Sequence, residues 1–321
     1  MAVISAAPKP KSQVIEVTKK PRSLWSDAWR RLKRNKMAVA SAIVILLITL
    51  TAICAPLLPL LDPVTYQSRE TDPGGGGTLL PPMWQDGGNG KFPLGTDPSG
   101  RDVLSRIIFG SQVSLMVGII PVIITVTMGV VIGMAAGFLG GRVDNILMRI
   151  TDVTYAFPDI LFIIIMLSAL RGTPFYSVMD GLLLIFVSLS IISWVGIARL
   201  VRGQVLSLKE KEFVEAARSI GVSNRRIMFV HLLPNTLGPI IVSATFGVPG
   251  FIITEAILSY IGIGVRPPRP TWGGMVQDGY SNINSAPHLV WIPAACIAIL
   301  TLAFTFLGDG LRDALDPRMS D

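Results

Sequence analysis

Between residues 209 and 234 the chain reads KEKEFVEAARSIGVSNRRIMFVHLLP, an island of charge between two long apolar runs. Soluble proteins spread their polar residues along the chain, so an island of this kind points to a loop between membrane spans. Phe213, Ala216, Ala217 and Ile220 recur at helical spacing, which predicts one helix over Lys209–Ile220 with these residues on a common face. Gly221 suits the left-handed end of that helix, and Ser223 the cap of a second short helix that Pro234 stops. Two short helices hinged at a glycine, with small Ala216 and Ala217 at the corner, leave room for another protein to come close. An inert connector needs neither the hinge nor the length, so the loop is read as the place where a partner pushes on a membrane domain.

The flanking runs set the fold class. Half of the 321 residues are hydrophobic and only 15% are charged, where a soluble domain carries about 25% charged residues. The apolar residues gather into runs long enough to cross a bilayer as helices. Six spans are expected, at 38–61, 111–139, 146–170, 182–200, 237–263 and 289–307, giving an all-α membrane protein. Around them the expected organisation is a basic N-terminal segment (1–37), the first transmembrane helix (38–61) and a Gly/Pro-rich extracytoplasmic loop (62–110). A transmembrane core (111–308) with its loop at 202–235 follows, and then a tail (309–321).

The formal charge of +7 raises the question of nucleic acid, and its distribution answers it. Residues 1–37 hold ten Lys/Arg against Glu16 and Asp27, immediately before the first span. That is the pattern of a segment retained in the cytoplasm, so no nucleic-acid partner is expected. Six spans then return the C-terminus to the same side. The charge counts of the loops agree independently: seven Lys/Arg against three Glu between Arg199 and Arg226, but six acidic against four basic residues in 62–110. Leu24–Asn35, LWSDAWRRLKRN, reads as an amphipathic helix on the inner membrane surface, and residues 1–23 as disordered. The basic stretch is too long, and lacks the small-residue cleavage site, for a signal peptide.

Along the chain, Gly74–Gly77 reads as a flexible connector, since no GK[ST] follows to make a phosphate loop. Asp97–Gly100 makes a turn and Asp102 starts the helix that runs into the second span. In that span Pro121 is expected to kink the helix. Gly129, Gly133 and Gly137 line one face where another backbone can approach closely. In the third span Arg149 and Asp152 stand three apart and are expected to pair. Asp152, Asp159 and Glu255 are ionisable groups at membrane depth, which either pair locally or face a translocation path. Cys54 and Cys296 lie far apart inside apolar spans, as small hydrophobes. His231 and His288 fall on opposite sides of the membrane, no metal-ligand spacing appears, and no GxSxG elbow is present. Neither a metal site nor a catalytic set is expected.

With these residues in view the chain resembles a known family. Glu215-Ala216-Ala217, then Gly221, then His231-Leu232-Leu233-Pro234 is similar to the EAA loop of ABC importer permeases. The family's usual form has an aliphatic residue where this chain has His231, and the HLLPN ending resembles the oligopeptide/dipeptide (peptide/nickel-type) branch. Four further blocks resemble that branch in order: LGTDPSGRDVLSRIIFGSQVSL, RITDVTYAFPDILFIII, EAILSYIGIGVRPPRPTWGGMVQDG and FLGDGLRDALDPR. The match runs from about residue 30 onward and is closest to the C-type permease of such an importer.

The resemblance implies the type I ABC importer fold with both termini cytoplasmic, and a set of partners. A second homologous permease completes the path, two cytoplasmic ATPase subunits bind ATP and Mg and power it, an extracytoplasmic substrate-binding protein delivers the cargo, and lipid surrounds the whole. It implies that Glu215, Ala216, Ala217, Gly221, Leu233 and Pro234 couple the membrane domain to an ATPase. This chain has no GxxxxGK[ST] and is expected to be non-catalytic, with no cofactor of its own. The implied cargo is a di- or oligopeptide, with nickel complexes, glutathione or oligosaccharides as alternatives within the branch. An ion-coupled secondary transporter is the alternative outside it, and the halves show no inverted repeat to support that.

Overall fold

The computed structural model describes residues 24–64 and 77–316, and within them all regular secondary structure is helical. The expectations for 1–23, for Gly74–Gly76 and for 317–321 lie outside the described residues. Helix α1 (Leu24–Arg34) meets α2 (Lys36–Cys54) at Asn35, whose side-chain oxygen accepts from the Ala38 N–H at 3.2 Å and caps the first span. Then come α3 (Val103–Leu139), α4 (Gly141–Tyr155), α5 (Asp159–Ala169), α6 (Leu182–Leu208), α7 (Glu212–Ser219), α8 (Leu233–Tyr260), α9 (Trp272–Tyr280) and α10 (His288–Leu315). Five helical stretches among the described residues are long and apolar enough to cross a bilayer, and the bent pair α4–α5 supplies a sixth span.

That pair is the span expected over 146–170, broken into two helices. The axes of α4 and α5 differ by 81°. Pro158 lacks an N–H and pushes its neighbour away from helical geometry, and it sits extended (φ −62°, ψ 122°) between the two helices. Pro121, by contrast, is accommodated within an unbroken α3.

Helices α3 and α6 form the centre of the bundle. Lipid tails are as apolar as leucine, so close packing rather than water exclusion must hold two spans together. The three glycines of α3 provide it. A Cβ on Gly129 would lie 2.5 Å from the Ile197 Cβ, one on Gly133 2.8 Å from the Val201 Cβ, and one on Gly137 2.9 Å from the Val205 Cβ. No side chain fits in those gaps, and the backbones touch because none is there.

Two buried clusters follow. The outer one includes Val117, Leu189, Ile252, Leu258 and Leu300. The inner one joins Met134, Val201 and Val205 of the spans to Val214, Ile227 and Leu232 of the loop. At the end of the bundle that carries the 209–234 loop, α1 packs on α10, and the Arg31 guanidinium donates to the Asp316 carbonyl at 3.2 Å. Both described ends therefore sit at one end of the bundle, as an even number of spans requires. Helix α2 leaves Ile43, Leu46, Leu47, Leu50 and Ile53 exposed, a face suited to lipid.

Candidate functional site

The charged island folds as a hook on the inner cluster. Helix α7 is shorter than its expected span, because α6 continues to Leu208 and the chain turns at Lys209–Lys211. Val214 and Ala217 point inward, at 0% and 5% exposure, against Ile227 and Leu232. Phe213, Glu215, Ala216 and Ile220 face outward, with Ile220 80% exposed. The expected common face is therefore divided: Ala217 rolls into the cluster while the other three stay open.

The end of α7 is a Schellman turn. The Val222 N–H donates to the Ala217 carbonyl at 3.0 Å, the Gly221 N–H to the Arg218 carbonyl at 2.9 Å, and Gly221 carries φ +78°. Ser223 occupies a cap position with extended backbone, although its hydroxyl makes no capping bond.

The second arm corrects another expectation. Pro234 does not stop a short helix; the helical rod runs from Asn224 through to Tyr260. A proline ring clashes with the carbonyl four residues earlier, here that of Val230, and removes the N–H that would bond it. The rod meets this by widening into a π-turn over Ile227–Leu232, where the Leu233 N–H donates to the Met228 carbonyl, five residues back. The Asn235 side chain then donates to the His231 carbonyl at 2.6 Å. Leu233 is half-buried at the edge of the inner cluster, and Pro234 is exposed beside it. The hook thus has one arm packed on the spans and one arm that is the root of α8, so a push on α7 reaches two spans directly.

The acidic residues of the broken span fall into two kinds. Asp144 receives both arms of Arg202, at 2.6 and 2.7 Å, and Asp152 receives Arg199 at 2.7 Å. Asp152 therefore pairs across helices and not with Arg149, because α6 runs alongside α4 and offers its arginines. Arg199 also stacks over the Tyr155 ring, 4.6 Å from its centre. Sequence reasoning missed Asp144, Arg199 and Arg202; opposite charges at the inner ends of neighbouring spans were the available signal. Asp159, at the start of α5, lines a cavity of about 320 Å³ between α3, α5, α6 and α8. Glu255 is 1% exposed and accepts from the Ser259 hydroxyl at 2.6 Å. It lines neither that cavity nor the outer one beside Arg269.

The outer face is closed by charge. Asp97 makes the expected turn, accepting the Ser99 and Arg101 N–H groups at 2.9 Å each. Its other oxygen takes Arg101 at 2.7 Å and Arg106 at 3.3 Å, while Asp278 of α9 takes Arg106 at 3.0 Å. Burial pushes the Asp278 carboxyl above its ordinary range, against the opposing pull of Arg106 and Arg101. Asp102 caps α3 by accepting the Ser105 N–H at 2.8 Å, and burial raises it as well. The Trp272 indole donates to the Ile107 carbonyl at 2.9 Å and fixes α9 to α3.

A bundle of membrane spans with a helical hook rooted at one end has the architecture of a transport permease. The comparisons with known proteins agree. Residues 129–321 match the family of binding-protein-dependent transport system inner membrane components, and residues 23–82 the N-terminal transmembrane domain of oligopeptide transport permease C. The chain is 40% identical to the oligopeptide transport system permease protein OppC of Haemophilus influenzae, over 95% of this chain and 92% of that one. It is 40% identical to the dipeptide transport system permease protein DppC of Bacillus subtilis, over 96% and 91%. Among solved structures, an inward-facing MetNI methionine ABC transporter covers 66% of this chain and 97% of its own at a TM-score of 0.51, with 18% identity, which shows the fold. The chain belongs to the binding-protein-dependent inner membrane component family: it is a multi-pass ABC importer permease.

Proposed function

We propose that this permease moves di- or oligopeptides into the cytoplasm, as one half of a path completed by a second, homologous permease. The observation that carries the coupling part of this reading is the hook: Ile220, Ala216 and Glu215 stand open on a helix whose back is buried in the bundle. Exposed apolar side chains on a short, rigidly held helix suit a groove on another protein. The partner there is a cytoplasmic ATPase, two copies of which hold ATP and Mg. Glu215, Ala216 and Gly221 set the contact and its hinge, and Ala217, Leu233 and Pro234 root it in the bundle. The N- and C-termini and the hook face the cytoplasm, as the loop charges favour. A substrate-binding protein meets the opposite face. Peptides as cargo rest on the names of the relatives that resemble the whole chain.

The test is uptake by proteoliposomes holding the permease together with its co-encoded partners. Trialanine uptake is expected to require ATP, the ATPase subunits and the binding protein. Uptake by the permease alone, indifferent to ATP, overturns the reading.

A further inference from the structure

The broken third span carries three carboxylates, and two of them have a cation. Asp144 is held by Arg202 and Asp152 by Arg199, whereas Asp159 makes no ion pair among the described residues. The break leaves Asp159 at the first residue of α5, whose eleven residues put it about 16 Å along the helix from Ala169. An ionisable group within a broken span usually faces a partner group or a water-filled cavity.

Asp159 is exposed and faces such a cavity. Asp159 shares its cavity of about 320 Å³ with Thr125, Ser193, Ser243 and Thr254, drawn from three neighbouring helices. Thr125 is only 5% exposed, yet its hydroxyl finds no hydrogen-bond partner among the described residues. Buried polar groups are normally satisfied, so a hydroxyl left open on a polar cavity marks a place where something else supplies the bond. Hydroxyls both donate and accept, which suits the N–H and C=O groups of a peptide backbone of any sequence. One carboxylate among them gives the site a polarity.

Building on the peptide-import reading, we propose that this cavity is a station on the translocation path where Asp159 receives the cationic α-ammonium group of the passing peptide and the surrounding hydroxyls hydrogen-bond its backbone. The permease would then select for a free amino end in its own right, beyond whatever the binding protein selects.

The test compares ATP-dependent uptake of trialanine and N-acetyl-trialanine by the complete reconstituted importer, with the acetylated peptide supplied at a concentration that gives measurable wild-type flux. Every variant sees the same binding protein, so that protein's preference cancels when variants are compared by the ratio of the two uptakes. Asp159→Asn is expected to lower trialanine uptake at least tenfold and to leave N-acetyl-trialanine uptake within twofold, and Asp159→Glu to restore most of the ratio. An Asp159→Asn importer that loses both peptides alike, or neither, overturns the proposal. Wild-type uptake that needs no ATP overturns the importer reading instead, so the two failures are distinguishable.

Discussion

The two ends of this molecule each carry a charged sequence block, and the structure uses the two in opposite ways. At the outer end, Asp97, Arg101, Arg106 and Asp278 pair with one another, and Arg106 is only 3% exposed. At the inner end, the hook keeps its charges in the open and exposes apolar Ile220 and Phe213 beside them. A charged motif that closes on itself is holding the chain together. One that leaves its side chains unmatched is a candidate interface. The contrast is informative because both blocks carry the family resemblance, and resemblance alone does not say which is architecture and which is interface.

The sharpest way to break the comparison is to remove the centre of the closed end. Arg106→Met removes the more deeply buried of the two cations that bridge Asp97 and Asp278, and leaves Arg101 alone at 2.7 and 3.5 Å from them. Breaking a buried pair from one side costs about 3 kcal/mol or more. The expected outcome is little folded protein recovered from the membrane and a strongly lowered melting temperature in detergent. Wild-type recovery and melting would show that the outer cluster is not structural.

Gly221 sits between the two cases, since it is part of the open hook but its conformation is built in. Its φ is +78° and a Cβ there would meet nothing within 4 Å, so only backbone strain opposes a side chain. Gly221→Ala is expected to cost about 1 kcal/mol and Gly221→Asn less, because asparagine tolerates the left-handed region. Thermal melting ranks the variants, and transport is expected to fall in the same order as the hinge is strained. Equal melting of alanine and asparagine variants would remove the Schellman turn from the account.

How much of this was legible in advance follows from what each feature depends on. The spans were readable because bilayer thickness acts on composition, residue by residue. The glycine stripe and the turn at Asp97 were readable because their causes lie within a few residues. The break at Pro158 was harder: hydropathy runs through it from Val153 to Leu170 with little interruption, and Pro121, in a similar apolar setting, leaves α3 unbroken. The partner of Asp152 depends on α6 lying beside α4, a fact of packing that Arg149 at a convenient spacing obscured. Ala217 turned inward for a similar reason, because the tilt of α7 on Val205 and Ile227 is set by the bundle and not by the helix itself. The Ser259 partner of Glu255, one turn on, was readable for the same local reason as the turn at Asp97.

The smallest expected effect on stability tests the open end most directly. Ile220 is 80% exposed, and Glu215 on the same helix makes no side-chain contact among the described residues that a substitution would orphan. Surface changes away from caps and buried networks shift stability by no more than about 0.5 kcal/mol. Ile220→Asp and Glu215→Lys are therefore expected to melt with the wild type and to reach the membrane in equal amount. If the hook seats in a groove on an ATPase, a charge at the centre of that contact or a reversed one beside it is expected to reduce ATP-driven uptake at least tenfold and to weaken co-purification of the ATPase. The diagnostic is the separation of the two readouts. A variant that loses stability and transport together makes the hook another piece of architecture like the outer cluster, and a variant that keeps both leaves the exposed face without a partner.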